Sequence, residues 1–382
     1  MKITVLTMVS YYLPGYKSGG PVRTISNMIA GLSSDFDFKV VTRDRDLGDL
    51  KPYHCAQAEA WQRVGQAEVL YVSPVRATLF GMMKILRNVE FDVLYLNSFF
   101  DTVFTTRVLL ACFFVGVKRN IIVLAPRGEF SEGAMGLKRT RKTLYTAVCK
   151  WLYRDIVYHA SSPLEADDIH AVLDVPYDRI RVAMDLAGSL GASVDAEIGA
   201  EGDPLRVIFL SRISPMKNLD FALRVLRDVK ARVCFDIYGP REDLEYWREC
   251  ERFMSLLPDN IAANYCGEVL PDQVAQTFAR YELFLFPTKG ENYGHVIAES
   301  LASGTPVLLS DQTPWSGLEA DGLGWNFPLA RPKDFASAIE RFTQTPVAIR
   351  HERRERIRES AKSRLFDERV IDDNRRLFLS VV

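Results

Sequence analysis

The stretch 282–310 reads ELFLFPTKGENYGHVIAESLASGTPVLLS and predicts a strand, a helix and a second strand. Its first apolar run, Glu282–Pro287, is too short for a helix and predicts a buried strand. The helix follows Gly294 and ends at Gly304, because glycine commonly closes a helix. Thr305–Ser310 then predicts the second strand. Continuous apolar strands joined by a helix are typical of a parallel sheet that is covered on both faces.

Two glutamates, Glu291 and Glu299, frame this helix. Glu291 falls on the loop that leaves the carboxyl end of the first strand, where open α/β sheets bind their ligands. Glu299 lies about two turns further on, in an otherwise apolar helix where a charge is costly without a partner. Two carboxylates at this spacing suit the hydroxyls of a polyol, such as a sugar joined to a ribose. A solvated loop glutamate and a surface helix glutamate remain the alternative.

The same alternation of strand and helix runs through both halves of the chain. It predicts an α/β protein with two Rossmann-like domains, 1–185 and 205–365, whose parallel sheets face each other across a cleft. Residues 186–204 are rich in small residues and predict a linker. Residues 366–382 predict a helix that crosses back to the first domain. Strands are predicted at Ile3–Met8, Phe38–Thr42, Val69–Val72, Val93–Asn97, Ile121–Leu124, Ile156–His159, Val207–Leu210, Val233–Tyr238, Leu283–Phe286 and Val307–Leu309.

Composition narrows the class of protein. The 382 residues are 48% hydrophobic and 25% charged with a net charge of −1, which favours a globular protein without a nucleic-acid-binding surface. No apolar run reaches the length of a membrane span, and Val103–Val117 predicts a buried helix. The start of the chain reads as a strand and not as a signal peptide, so we expect a cytoplasmic location. The six cysteines have no C-x-x-C pair, and we expect reduced thiols and no zinc site.

A loop between a strand and a helix carries two cations, Arg212 and Lys217. Cations beside the free N–H groups of a helix N-terminus favour a diphosphate. In the first half, Gly19 and Gly20 precede Pro21 at the start of a helix, where the backbone is able to approach a ligand closely. Solvated cations and a plain flexible loop are the alternatives.

Taken together, these residues resemble a large family, the retaining nucleotide-sugar glycosyltransferases of group 1 (family 4), which have the GT-B fold. The resemblance covers nearly the whole chain and is strongest over 207–307. Its motifs are Ser-Arg-Ile-Ser-Pro-Met-Lys from 211, Ile-Tyr-Gly from 237, Tyr-Cys-Gly-Glu-Val from 265, and the two glutamates at 291 and 299 followed by Ala-Ser-Gly-Thr-Pro-Val.

The resemblance implies roles for these residues. Arg212 and Lys217 would neutralise the departing diphosphate, and Glu291 would contact the donor sugar as a third catalytic residue. Glu299 would hold the ribose of the donor. The remaining donor-binding positions that it implies are Gly19, Gly20, Gly239, Gly267, Val269, Asn292, Tyr293, Gly294 and His295.

The chain departs from the family in two places. Arg127 stands where many members carry a histidine near the donor sugar, and it is the candidate for that position. Met184-Asp185-Leu186 stands where the family has an Asn-Gly turn.

The segment 136–154 carries six Lys or Arg residues and no acid. A basic amphipathic helix with aromatic residues is able to lie on an anionic membrane, and a core-packed helix with a solvated basic face is the alternative. Many members of the family extend lipid-linked glycans at the inner face of the cytoplasmic membrane, which favours the membrane. The residues assigned to the membrane or acceptor side are Lys138, Arg139, Arg141, Lys142 and Trp151.

The resemblance therefore implies a retaining glycosyltransferase that uses a UDP- or GDP-sugar and a glycan or lipid-linked glycan acceptor, in bacterial surface polysaccharide biosynthesis. We expect no cofactor and no metal, because two cations neutralise the diphosphate. The acidic pairs at 35/37 and 44/46 are interpreted as surface charge. A nucleotide-sugar epimerase of the same architecture and a non-catalytic two-lobed sugar-nucleotide-binding protein are the alternatives.

Overall fold

A computed structural model describes residues 2–55, 57, 60–131, 144–146, 149–188 and 199–382. The chain forms two compact units, one of Met1–Gly188 with Phe366–Val382 and the other of Ser189–Leu365. The predicted linker falls mostly on residues 189–198, which lie outside the described residues.

The first unit contains an eight-stranded sheet in the order β3-β4-β2-β1-β5-β6-β7-β8. All neighbouring strands are parallel except β3 and β4. The central strands β5 and β6 are buried at every position, as is typical of parallel strands that are covered on both faces. The strands are β1 Ile3–Met8, β2 Phe36–Arg43, β3 Trp61–Val64, β4 Ala67–Val72, β5 Val93–Asn97, β6 Ile122–Ala125, β7 Val157–Ala160 and β8 Ile180–Val182.

The described helices of the first unit bury one stripe each against this sheet. The sequence predicts a buried helix over the range 103–117, but the helix there is only partly buried. Its first turn, Thr102–Thr106, is a π-helical turn, and Phe113 and Phe114 near its end are exposed. The helices are Gly20–Leu32, Leu79–Asn88, Arg107–Val115, Pro163–Leu173 and Glu368–Leu379, with short 3-10 turns at Arg119–Ile121, Lys150–Tyr153 and Tyr177–Arg179.

The last helix, Glu368–Leu379, completes the core of the first unit. The ring of Phe378 lies 5.4 Å from that of Phe36 and 5.3 Å from that of Tyr95. The side-chain amide of Asn374 donates to the Met184 carbonyl at 2.8 Å. The first unit is therefore built from two separate pieces of the chain.

The second unit contains a six-stranded parallel sheet in the order β11-β10-β9-β12-β13-β14. Its strands are β9 Leu205–Leu210, β10 Val233–Tyr238, β11 Ile261–Gly267, β12 Leu283–Phe286, β13 Val307–Ser310 and β14 Gly324–Phe327. Its helices are Leu219–Arg227, Leu244–Met254, Val274–Ala279, His295–Ala302, Pro332–Thr343 and Val347–Leu365, with a 3-10 turn at Pro271–Gln273.

The α/β class and the two parallel-sheet domains predicted from the sequence are confirmed. None of the helices in the described residues is long and apolar enough to cross a bilayer.

Candidate functional site

The structure brings Lys217 and Glu291 together in the second unit. Lys217 follows β9 and Glu291 follows β12, the two neighbouring strands between which the strand order reverses. Their side chains form an ion pair, and each is 14% exposed. The carboxyl ends of strands at such a reversal are where open α/β sheets bind ligands. A cation and a carboxylate therefore stand at the expected ligand-binding edge of this sheet.

Backbone contacts hold these two loops against each other. The Lys289 amide and the Thr288 hydroxyl both donate to the Met216 carbonyl, at 2.8 and 3.1 Å. Asn218 has a left-handed backbone and donates its side-chain amide to the Pro287 carbonyl at 2.9 Å. Asparagine tolerates that conformation better than most residues. The position of Lys217 thus depends on both loops.

Arg212 lies on the same loop as Lys217 but contacts a different carboxylate. Its guanidinium donates to Glu242 at 2.8 Å, and the two side chains are 41% and 45% exposed. An exposed pair of this kind is weak, because water screens both charges. Arg212 is therefore able to exchange Glu242 for another anion at little cost in free energy.

Gly239 is required by a close backbone approach. A Cβ at this position would lie 1.8 Å from the Ser211 carbonyl oxygen, and the φ of Gly239 is +135°. Its amide donates to the Gly267 carbonyl at 2.8 Å, which joins the ends of β10 and β11. Val269 follows on the loop after β11. The predicted donor-binding positions Gly239, Gly267 and Val269 thus share one edge of the sheet.

Gly294 caps the helix His295–Ala302 in a left-handed conformation with φ +79°. The indole of Trp315 donates to the Tyr293 carbonyl at 2.6 Å, and the ring of Tyr293 lies 4.7 Å from that of His295. These contacts fix the turn that presents the N-terminus of the helix. Asn292 precedes this turn, and Glu299 is half-buried in the second turn of the helix.

In the first unit, Gly19 stands immediately before the helix Gly20–Leu32 with φ +67°. A Cβ at Gly19 or at Gly20 would meet nothing within 4 Å. The carboxylate of Asp46 holds the preceding loop by accepting from the amides of Tyr16 and Lys17, at 2.8 and 3.1 Å. Asp44 and Asp46 are buried. The interpretation of this acidic pair as surface charge is wrong, because Asp46 serves as a loop anchor.

The two departures from the family pattern contact each other. The guanidinium of Arg127 forms an ion pair with Asp185 at 2.5 Å and also donates to the Tyr95 hydroxyl at 2.5 Å. The same hydroxyl lies 2.7 Å from a ring nitrogen of His159. Burial, together with the charge of Arg127, lowers the pKa of His159 to about 4. Arg127 and Asp185 thus form one buried polar network, and the role of Arg127 toward the donor stays a prediction.

Sequence reasoning missed four polar residues that follow the carboxyl ends of β1, β5 and β6: Ser10, Ser98, Asp101 and Glu129. Asp101 accepts from the Ser10 hydroxyl at 2.5 Å, across the reversal of strand order between β1 and β5. Glu129 accepts from the Ser98 hydroxyl at 2.6 Å, and Ser98 has φ +72°. Strained non-glycine residues cluster at functional sites. The only signal in the sequence was that each of these residues follows a buried strand.

The predicted membrane side is described only in part. Lys138, Arg139, Arg141 and Lys142 lie outside the described residues. Trp151 is described, and it is exposed on the turn Lys150–Tyr153. Within the described residues, no group of three His, Cys, Asp or Glu side chains is arranged to hold a metal ion.

Comparison with known proteins finds a family model that matches part of the chain and a set of similar folds. Residues 193–364 match the family model "Glycosyl transferases group 1". An uncharacterized 41.2 kDa protein in the cps region of Klebsiella pneumoniae is 21% identical over 91% of this chain and 92% of its own length.

Two solved structures match over nearly their full length. Sucrose-phosphate synthase from Thermosynechococcus elongatus gives a TM-score of 0.70 at 14% identity and covers 100% of this chain and 99% of its own. Alr3699/HepE of Anabaena, in complex with UDP and glucose, gives 0.67 at 14% identity and covers 99% of both chains. At this identity the likeness shows the fold alone, and it agrees with the fold predicted from the sequence.

Proposed function

We propose that this chain, a GT-B glycosyltransferase, moves a sugar from a UDP- or GDP-sugar to an acceptor hydroxyl with retention of anomeric configuration. The match of residues 193–364, in its second unit, to the group 1 glycosyl transferases supports this proposal. The contact of Lys217 with Glu291, on the loops that flank the reversal of strand order, is the observation that carries the proposal.

The two cations act on the leaving group. Breaking the bond between the anomeric carbon and the diphosphate oxygen leaves additional negative charge on that oxygen. Lys217 stands at the ligand-binding edge, and Arg212 joins it by exchanging its weak exposed contact with Glu242 for the diphosphate. Stabilisation that grows as the charge develops lowers the barrier, because it is stronger in the transition state than in the ground state.

Glu291 has two tasks in this proposal. In the structure it neutralises Lys217, and with a donor bound it accepts hydrogen bonds from hydroxyls of the sugar. The diphosphate then pairs with Lys217, and the sugar hydroxyls donate hydrogen bonds to the Glu291 carboxylate, so each of the two side chains gains a new partner when the ion pair separates. Glu299, on the helix behind this loop, holds the ribose.

Retention follows if the acceptor oxygen attacks the face that the diphosphate leaves. The new bond joins the acceptor oxygen to the anomeric carbon, and the proton of the hydroxyl goes to the departing phosphate oxygen. No protein nucleophile is required for this path. Proton NMR of the product tests it, since the anomeric coupling constant of the product must match that of the donor; an inverted product overturns retention.

The acceptor in this proposal is a lipid-linked glycan, and the pathway is bacterial surface polysaccharide synthesis. The relative encoded in a cps region supports that setting, and the basic segment 136–154 supports contact with an anionic membrane.

A donor panel identifies the substrate and separates the competing activities. Thermal unfolding is measured with UDP-, GDP-, ADP- and dTDP-sugars, because a ligand that binds the native state raises the melting temperature. The stabilising donor is then incubated with and without a polyprenyl-diphosphate-linked monosaccharide. Transfer that requires the acceptor supports the proposal. Conversion of the donor to another sugar nucleotide without acceptor identifies an epimerase, and binding without either reaction identifies a binding protein.

We also propose that the reaction needs no metal, because Lys217 and Arg212 supply the positive charge that a divalent cation supplies elsewhere. Activity is expected to persist in excess EDTA. Loss of activity that Mg²⁺ or Mn²⁺ restores would contradict this proposal.

A further inference from the structure

Three large aromatic side chains lie together on the surface of the first unit. Phe113, Phe114 and Trp151 are 60%, 58% and 53% exposed. The ring of Phe113 lies 5.6 Å from that of Phe114 and 6.1 Å from that of Trp151. Scattered single apolar residues are normal on a protein surface, but a contiguous patch marks an interaction site. These three side chains are called the aromatic cluster below.

Packing in the core of the first unit leaves the aromatic cluster exposed to solvent. On the helix Arg107–Val115, Val108, Leu109, Ala111 and Cys112 are buried against the sheet. This packing leaves the next two positions, Phe113 and Phe114, on the solvent side.

The turn that carries Trp151 is anchored in the same way. Its neighbours Leu152 and Tyr153 are buried. The guanidinium of Arg119, which follows the helix, donates to the Leu152 carbonyl and ties the turn to the helix end. The exposure of all three rings is therefore imposed by packing on the other side of each element.

Basic residues flank the aromatic cluster along the chain. Lys118, Lys150 and Arg154 are exposed within four positions of its members along the chain. The nearby acids are already close to cations: Asp155 lies 3.4 Å from Arg179, and Asp174 lies 3.7 Å from Lys150. The segment 136–154, which includes Trp151, contains six basic residues and no acid.

We infer that the aromatic cluster inserts into the interfacial layer of an anionic lipid bilayer. Phenylalanine and tryptophan rings are favourable at the depth of the lipid headgroups, and basic side chains beside them attract anionic lipids. A protein partner would need acidic side chains around an apolar pocket, whereas a bilayer supplies both features over its whole surface. The inference rests on the proposed function in one respect, since a lipid-linked acceptor requires an enzyme that reaches the membrane.

The aromatic cluster lies at the carboxyl end of its helix. Helices that join parallel strands run antiparallel to them, so the carboxyl end of this helix lies at the edge of the sheet where the strands begin. Asp101 and Glu129 lie at the opposite edge, where the strands end. Substitution of the aromatic cluster is therefore expected to leave the chemical step intact.

The test compares the wild-type chain with a triple variant, Phe113→Ser, Phe114→Ser and Trp151→Ser. Co-sedimentation is measured with phosphatidylglycerol vesicles and with phosphatidylcholine vesicles. We expect wild-type protein to favour the anionic vesicles and the triple variant to bind them at least about tenfold more weakly, since each ring that leaves the interface loses buried apolar area. Leu256→Ser is the matched control, because it removes a 65% exposed apolar side chain from the second unit.

Fluorescence adds a readout specific to one ring. Brominated lipids are expected to quench part of the emission of the wild-type chain, which contains five tryptophans. Trp151→Phe keeps an aromatic ring at the surface, so it is expected to abolish the quenching and to retain most of the binding.

Three results would overturn the inference: no binding of the wild-type chain to anionic vesicles, equal binding of the triple variant, or a dimer that the triple variant converts to monomer. The last of these would identify a contact between two copies of this chain. Transfer to a soluble alkyl glycoside is measured in parallel. A wild-type chain that binds vesicles but transfers no sugar would count against the proposed function and would leave the inference about the aromatic cluster intact.

Discussion

At the scale of single residues, the main finding is the contact between Lys217 and Glu291. Each was a candidate in the sequence for a different part of the donor, and the structure shows that they neutralise each other. Two partly buried opposite charges are more stable together than either is alone. The binding edge is thereby preorganised without an unpaired charge, and a donor exchanges partners with both residues.

Removing the cations tests their role. Lys217→Ala is expected to lower kcat/KM by about 10²–10³-fold, as loss of a preorganised charge does. Arg212→Ala is expected to have a smaller effect in the same direction, because Arg212 is exposed and paired with Glu242. Steady-state kinetics of the folded variants measure both, with Arg227→Ala at the far end of the next helix as the control. Wild-type turnover in the lysine variant would refute its role at the diphosphate.

The two glutamates are expected to differ kinetically. Glu299→Gln removes a contact to the ribose, which does not react, so KM is expected to rise by about 10–100-fold, the value of a charge-assisted hydrogen bond. Glu291→Gln removes a contact to the sugar and also frees Lys217, so kcat is expected to fall. Glutamine keeps the size of each side chain and removes its charge. The opposite pattern, with kcat lost at Glu299 and KM raised at Glu291, would show that the assignment is reversed.

At the scale of single elements, the missed strands have one property in common. The sequence predicted the central strands of both sheets and missed β3, β8, β11 and β14, which are the four edge strands. A central parallel strand is buried on both faces and reads as a continuous apolar run. An edge strand is partly exposed, as in β11, where buried or half-buried residues alternate with exposed ones. Whether an edge strand forms depends on pairing with a neighbouring strand, and the local sequence does not identify that strand.

Two glycines at the ends of adjacent strands, Gly239 and Gly267, are expected to differ in how much the second unit tolerates a side chain there. Gly239→Ala is expected to destabilise the second unit by about 3–5 kcal/mol, because the new Cβ would overlap the Ser211 carbonyl. Gly267→Ala places a Cβ in open space at φ +87° and is expected to cost only about 1–2 kcal/mol of conformational strain. Urea unfolding of both variants measures the difference. Equal unfolding midpoints would show that the backbone relaxes around residue 239.

At the scale of the whole molecule, the first unit requires both ends of the chain. The helix Glu368–Leu379 places Phe378 among Phe36, Phe38 and Tyr95. Arg375 of the same helix pairs with Asp35 at 2.8 Å. Residues 1–188 alone would expose these aromatic side chains to water. The polypeptide therefore leaves the first unit, forms the second and returns to finish the first.

One substitution measures how much the helix Glu368–Leu379 contributes to the stability of the first unit. Phe378→Ala is expected to lower the free energy of unfolding of the first unit by about 3–5 kcal/mol, the usual cost of removing a fully buried phenylalanine. Leu379→Ala, one position further in the same helix, removes a side chain that is 54% exposed and is expected to change it by less than about 0.5 kcal/mol. Circular dichroism during urea unfolding distinguishes the two. A mild effect at both positions would show that the helix is dispensable to the first unit.

The sequence by itself determined the fold class, the central strands of both sheets and the identity of the candidate donor-binding residues. Each of these depends on local information: apolar runs, glycine positions and the spacing of charges along the chain. The family resemblance rested on the same motifs, and the match over residues 193–364 agrees with it.

Only the tertiary structure decided which side chains meet. The residues of the pair Lys217–Glu291 are 74 positions apart, and those of the pair Arg127–Asp185 are 58 apart. The exposure of Phe113 and Phe114 and the burial of Asp46 were likewise invisible in the sequence. In each case the contact or the exposure of the side chain depends on which distant part of the chain packs beside it. Sequence periodicity records whether a residue faces a core, but the partner it meets there is set by the order of the strands in the sheet.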